Sequence, residues 1–295
     1  MLPFDFVLTD FDRPPNRLIS TPLLQWKICS SAPLRLQPSP PTPLWEVMAG
    51  EKFNLLAWSQ RDSCGLIAQA VEELYQVMKL LPPKDEVVLL GHSRGGLIAR
   101  RFLQDRPIGW ERVKRVILLG SPNRGSQIAA LAKVLSDAWF LDLLERFFPK
   151  SSSLFLSRAF AHVRAYLKIV AIAELAPDSP FMTEMVQGEK REYESRIPYI
   201  NLIGTCTTFI RFYRIVQREP WQIAPILSLL DGLETLVPRA FLPLEVRQGR
   251  GDGQVNLESA CLPWVQSNHL FAVNHAQLLT DGRIQRQILQ ALREI

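Results

Sequence analysis

Glu86-Val87-Val88-Leu89-Leu90-Gly91-His92-Ser93-Arg94-Gly95-Gly96 is the stretch that decides the fold. Its first five residues show no polar alternation, so they predict a strand covered on both faces, as in a parallel sheet. Gly91-His92-Ser93-Arg94-Gly95 follows at once, and residues 97–103 read as the start of a helix. Strand, sharp turn and helix is the context in which G-x-S-x-G carries chemistry; without it the pattern is a Gly-rich turn with an incidental serine. The turn must be tight and strained for the Ser93 hydroxyl to project clear of the backbone. The residues two before and two after Ser93 then approach one another, and only glycine leaves room there; Gly91 and Gly95 are expected to fill those places. The helix aims its positive end at the site, which favours a developing oxyanion.

Working outward, Leu66, Ile67, Ala70, Val71, Leu74, Met78 and Leu81 step by threes and fours, predicting an amphipathic helix stopped by Pro82-Pro83. Residues 113–119 predict another buried strand, and alternating strands and helices of these lengths make a parallel α/β sheet. Residues 53–58 predict a short buried strand and 44–50 a short helix. Five prolines within 33–43 predict a loop. From about 128 to 185 strand signals vanish and helical stretches rich in Leu, Ala and Phe predict an insertion. Within it, Trp139, Phe140, Phe147 and Phe148 fit either packing on the main domain or a lid face that meets substrate. Sheet signals return at 198–204; Phe209, Phe212 and Tyr213 read as core or lid packing, and 277–292 as a closing helix.

The chain has 295 residues, ample for a full core without disulfide or metal staples. Its 47% hydrophobic and 21% charged residues are globular values, which argue against global disorder. The net charge of +5 is spread out, with no basic block of the kind that tracks phosphates, so no nucleic-acid partner is expected. Cys29, Cys64, Cys206 and Cys261 show no zinc spacing and read as reduced, mostly buried thiols. No signal peptide and no spanning segment is seen, which gives a cytoplasmic expectation. A mean hydropathy of +0.03 fits a large core or some apolar surface.

A serine hydroxyl is a poor nucleophile at neutral pH; it needs a base, and the base needs an orienting acid. Four histidines are available. His92 adjoins Ser93 and should point away on the turn, and His162 reads as structural within the insertion. His269 and His275 remain, both late in the chain. His275 follows the apolar run 270–273 and precedes a helix, a loop at a strand end, where such sheets place catalytic groups. It is the preferred base, with His269 the alternative. For the acid, Asp252 stands between Gly251 and Gly253, which allow a tight loop that turns a carboxylate inward. Taken alone, Gly-Asp-Gly is also a common surface turn. Asp231, in Leu-Leu-Asp-Gly, is the competing acid.

The chain resembles an α/β-hydrolase of the lipase/esterase group. Gly91-His92-Ser93-Arg94-Gly95-Gly96 resembles the nucleophile elbow of that group, and Leu119-Gly120-Ser121-Pro122-Asn123-Arg124-Gly125-Ser126 its segment after the next strand. Leu175-Ala176-Pro177-Asp178-Ser179-Pro180-Phe181 resembles the stretch that closes the lid; Gly251-Asp252-Gly253 with Val255 resembles the acid loop, and Asn274-His275 with Leu278-Leu279 the histidine loop. The ordered set spans roughly 44–295.

The resemblance implies the α/β-hydrolase fold, a mostly parallel central sheet flanked by helices. The core would be 1–126 and 196–295, with 127–195 a helical lid insertion. It implies hydrolysis of carboxylic esters, often of lipids, through an acyl-enzyme, with no cofactor and no metal. Ser93 would be nucleophile, His275 base and Asp252 acid, in the chain order of the family. The partner would be a small-molecule ester or lipid, with transient lipid-surface contact through the lid. An acyltransferase or amidase could use the same triad, and a binding protein the same scaffold. The backbone N–H of Arg94 would be one oxyanion donor. The family's early Gly-rich loop, source of the second donor, is missing near 27–43; Ile28-Cys29-Ser30-Ser31 and the prolines stand there. A backbone N–H at Ser30 or Ser31 is the substitute. A missing donor would lower turnover by about 10²–10³.

Overall fold

The computed structural model describes residues 44–49, 51, 54–56, 62, 65–130, 170–207 and 242–295, together with the strand backbones 5–9, 18–20, 25–29, 35–39, 211–216 and 222–228. The strands are β1 Asp5–Thr9, β2 Leu18–Ser20, β3 Gln25–Cys29, β4 Arg35–Ser39, β5 Val87–His92, β6 Val113–Leu119, β7 Tyr199–Gly204, β8 Arg211–Val216, β9 Gln222–Ser228 and β10 Ser267–Phe271. The helices are α1 Leu44–Ala49, α2 Ile67–Leu80, α3 Arg94–Asp105, α4 Val170–Glu174, α5 Pro180–Gln187, α6 Glu189–Glu194, α7 Leu257–Ala260 and α8 Gly282–Arg293. A four-stranded sheet has the order β10-β7-β6-β5, and two three-stranded sheets have the orders β1-β8-β9 and β2-β3-β4. The main sheet is the α/β sheet expected, with β5 and β6 parallel and His92 opposite Leu119 at their C-terminal ends.

The chain divides into two compact units. One comprises Met1–Ala57, Leu202–Leu257 and Asn268–Ile295; the other comprises Trp58–Asn201 and Glu258–Ser267. In the second unit α2 buries Ile67, Ala70, Val71, Leu74 and Met78 of the stripe its spacing predicts, whereas Leu66, placed on the same stripe, is exposed. Leu81 is extended, as the residue before proline prefers, and ends the helix. That stripe joins Leu97, Ile98, Phe102 and Leu103 of α3 and Val113, Val116 and Leu118 of β6 in one apolar core. β6 is fully buried from Val116 onward, whereas Val87, Val88 and Leu90 of β5 are half-buried. Among the described strands β5 ends the sheet order, so its cover is thinner than an uninterrupted apolar run predicts. In the first unit α8 buries Ile284, Ile288, Ala291 and Leu292 and packs on α1.

Several expectations need correction. The proline-rich stretch holds a strand, β4, antiparallel to β3 with Pro38 opposite Trp26. β4 is an edge strand, the place where a proline that cannot donate is tolerated. Residues 54–56 form no strand, and Leu56 is 62% exposed. The closing helix starts later than 277: a 3-10 turn at Gln277–Leu279 comes first, then Asp281 caps α8 by accepting from the Arg283 N–H at 2.8 Å. Cys206 and Cys261 are free thiols but half-buried rather than buried. The side chains of Cys29, Phe212 and Tyr213, and the whole of Phe209, Cys64, Trp139, Phe140, Phe147 and Phe148, lie outside the described residues.

β5 passes into α3 through Ser93 alone, and this crossing is tight. A Cβ on Gly91 would stand 2.5 Å from both Cα and N of Gly96. The partner of Gly91 is thus Gly96 rather than the expected Gly95, where a Cβ would meet nothing within 4 Å. α3 begins directly after Ser93, so its first turn carries the later glycine under the strand.

Seven residues beyond Ser93, α3 carries a charge into the core. Arg100 is fully buried and donates to Glu192 Oε1 at 3.0 Å and Oε2 at 2.8 Å, with Glu192 itself fully buried. Glu192 also accepts from Gln104 at 2.7 Å and from the Tyr199 hydroxyl at 2.9 Å. Arg100 further donates to Asn123 O and Oδ1, each at 3.2 Å. Burial opposes the guanidinium charge, but Glu192, then Tyr199 and Glu189, outweigh it and raise the pKa. Burial, reinforced by Glu192, holds the Tyr199 phenol well above its ordinary range. The network joins α3, α6, the start of β7 and the loop after β6. Breaking a buried pair by removing one partner leaves an uncompensated charge, which costs about 3–5 kcal/mol.

Two outcomes follow for urea or thermal unfolding. Glu192→Ala should cost that amount, and Arg100→Met combined with Glu192→Leu should recover most of it; a single-mutant cost under about 1 kcal/mol would contradict the network's role. Gly91→Ala should destabilise by at least about 1–3 kcal/mol through overpacking, while Gly95→Ala should leave the midpoint unchanged or raised. Equal losses at the two glycines would contradict the crossing described.

Candidate active site

Ser93 is the single residue between β5 and α3, with φ +54° and ψ −125°. A non-glycine residue in this region is strained by about 1–3 kcal/mol and persists only where its surroundings impose it. Two backbone bonds do so: the Ser93 N–H donates to Leu119 O at 2.8 Å, and the Gly96 N–H donates to Ser93 O at 3.0 Å. Ser93 is half-buried. Arg94 opens α3, where the first N–H groups of a helix have no acceptor within the helix. Its amide is therefore suited to a developing negative charge.

The Ser121-to-Ser126 and Leu175-to-Phe181 segments are bonded to each other and to the residues around Ser259 and Ala260 within the second unit. Ser121 is buried against the elbow: a Cβ on Gly96 would fall 1.8 Å from its Oγ. The Asn123 side chain donates to Ala260 O at 2.6 Å, and the Ser126 N–H donates to Leu175 O at 2.7 Å. The Ser259 hydroxyl donates to Gly125 O at 2.5 Å. The Ser121-to-Ser126 and Leu175-to-Phe181 motifs thus form one bonded surface within the second unit.

Asp252 and His275 belong to the first unit, and the structure brings them together. His275 Nδ1 lies 2.8 Å from Asp252 Oδ2, and both residues are buried, at 3% and 1% exposure. The remaining carboxylate oxygen, Oδ1, accepts from the N–H groups of Gln254 at 3.0 Å and Val255 at 2.8 Å. The His275 N–H donates to Asp252 O at 3.0 Å, so backbone and side chain bind the same partner. Glycine at the end of β7 allows this approach: a Cβ on Gly204 would stand 2.7 Å from Val273 O and 2.8 Å from Asp252 Cβ. Beside the histidine, Asn274 Oδ1 accepts from the Ala276 and Gln277 N–H groups at 3.2 and 2.9 Å, which fixes the loop after β10. A carboxylate on Nδ1 leaves Nε2 as the atom that can accept a proton.

The rival histidine, His269, is half-buried on β10, and His92 is half-buried at the end of β5. Asp231, His162, Ser30 and Ser31 lie outside the described residues. Among the described residues no group of three or more His, Cys, Asp or Glu could hold a metal, and no helix is long and apolar enough to cross a membrane. Sequence reasoning passed over Arg100, Asn123 and Glu192. Arg100 stands three residues after Leu97 and three before Leu103, on the apolar stripe of α3, and a charge at that position was the available signal.

The model of the α/β hydrolase fold family matches residues 56–269. No curated protein matches the chain. Among solved structures, the chain is similar to a Bacillus licheniformis lipase in mature form, at 20% identity over 79% of this chain and 74% of that one, with a TM-score of 0.43. A metagenomic carboxyl esterase is similar at 14% identity over 77% and 62%, with a TM-score of 0.47. A Paleococcus ferrophilus monoacylglycerol lipase is similar at 15% identity over 79% and 76%, with a TM-score of 0.34. With the parallel β5–β6 pair, the strained serine between strand and helix, and most of its length matched, the chain belongs to the α/β-hydrolase fold family.

Proposed function

We propose that the protein is a serine hydrolase that cleaves carboxylic esters through an acyl-enzyme. The observation that carries this reading is the buried Asp252–His275 pair, a carboxylate set on one imidazole nitrogen at 2.8 Å. The strained Ser93 elbow supplies the matching nucleophile. Ser93 Oγ attacks the acyl carbon while His275 Nε2 takes its proton. The Arg94 N–H stabilises the oxyanion, with a backbone N–H at Ser30 as second donor. Collapse of the intermediate releases the alcohol, which takes the proton back from His275. Water then attacks the acyl-enzyme by the same route, releasing the acid and restoring Ser93. Asp252 stays ionised throughout, holds the imidazole tautomer and stabilises its charged form. The insertion, residues 127–195, acts as the lid or acyl-chain wall. The substrate is a small ester or a lipid.

Hydrolysis of nitrophenyl esters of graded acyl length tests this. Wild type should turn over, with Ser93→Ala inactive and Asp252→Asn reduced by about 10⁴ in kcat at unchanged fold. Equal turnover by Ser93→Ala would end the assignment. Products formed with added alcohols or amines would shift the reading from hydrolase to acyltransferase.

A further inference from the structure

α2 is a helix of 14 residues that begins without a cap of its own, because Leu66 has no side-chain oxygen to offer. The Ile67 N–H is nevertheless satisfied. It donates to Glu174 Oε2 at 2.8 Å, a carboxylate 107 residues further along the chain, at the end of α4. A carboxylate at a helix N-terminus makes a charge-assisted bond and meets the positive end of the dipole. Two residues earlier, the Gly65 carbonyl accepts from Arg94 Nη2. The short segment 65–67 is therefore gripped from both sides, by the residue that follows the nucleophile and by the last residue of α4.

The two gripping charges also act on each other. Burial holds the Glu174 carboxyl above its usual range, opposed by the Ile67 bond and by the Arg94 charge. Glu174 is itself anchored. Its carbonyl accepts from the Ser179 hydroxyl at 2.6 Å, and the next carbonyl, of Leu175, accepts from the Ser126 N–H at 2.7 Å. The helix geometry of α3 does not require an arginine at its first position. A guanidinium tied to a carbonyl outside the helix restrains the backbone from which it springs.

We propose that Arg94 and Glu174 are positioning residues which, acting through segment 65–67, hold the residue-94 peptide and with it the oxyanion-donating N–H. The inference rests on the ester-hydrolase reading for its effect on turnover, but not for its effect on the backbone. Loss of an oxyanion donor costs about 10²–10³ in kcat, and loosening one should cost a part of that, about tenfold.

The test combines kinetics with amide hydrogen exchange on the full chain. Arg94→Met and Glu174→Ala should each lower kcat about tenfold with KM within about twofold. Glu174→Gln, which keeps an acceptor for the Ile67 N–H, should retain most of kcat. In Arg94→Met the Gly96 amide, bonded to Ser93 O, should exchange about tenfold faster. The Ser93 amide, bonded to Leu119 O across the sheet, and the global Tm should be unchanged. An unchanged Gly96 exchange rate overturns the inference, whether or not the wild type turns over esters. Loss of exchange protection at both amides together with a lowered Tm also overturns it, because that is the mark of a merely structural role. Wild type without turnover, beside the expected exchange pattern, overturns the ester-hydrolase reading and leaves the positioning of the residue-94 peptide supported.

Discussion

The structure around the elbow depends on one constraint: a strand becomes a helix through a single residue. Ser93 carries the whole change of direction at a positive φ that its side chain disfavours. Such a turn closes only if strand and helix can touch, and a Gly91 Cβ would stand 2.5 Å from Gly96. The Ser93 N–H on Leu119 O ties the turn to the end of β6, which runs parallel to β5 with Leu119 opposite His92. The strain is offset by the apolar core shared by α2, α3 and β6. The same geometry exposes the first amides of α3, so a backbone constraint also creates the electrostatic character of the site.

Each unit holds a buried charged group that is met by several partners at once. In the elbow's unit, Arg100 meets Glu192 and Asn123, and Asn123 reaches Ala260. In the other unit, the Asp252 carboxylate is divided between two backbone amides and one imidazole. A carboxylate so bonded has little freedom to leave its histidine, and its burial sets it apart from a surface Gly-Asp-Gly turn. Burial makes each network costly to break and therefore exact in its geometry.

The elbow was legible because its signals are contiguous: an apolar run, two small residues around a serine, then a 3.6-residue period. β6 was legible for the same reason, with its bounds at 113 and 119. Local glycine chemistry and family order single out Asp252 and His275, and their approach to 2.8 Å is a tertiary fact that no local spacing could state. Five prolines within 33–43 exclude a helix or a central strand and so read as a loop, but an edge strand needs only one hydrogen-bonded side. The spacing of two residues on each side of Ser93 points to Gly95, whereas the helix turn brings Gly96 under the strand. The apolar run at 53–58 passed for a strand because composition does not reveal whether a sheet neighbour exists. Arg100 was invisible because its counter-charge lies 92 residues away.

The central claim is that Ser93 is a nucleophile activated by His275. Its most direct test is mapping, by peptide mass spectrometry, of the adduct formed with a fluorophosphonate. The account predicts one modified serine, Ser93, labelled far more slowly when His275 is replaced by alanine. An unmodified Ser93 in folded wild-type protein, or equal labelling rates with and without the histidine, would contradict it.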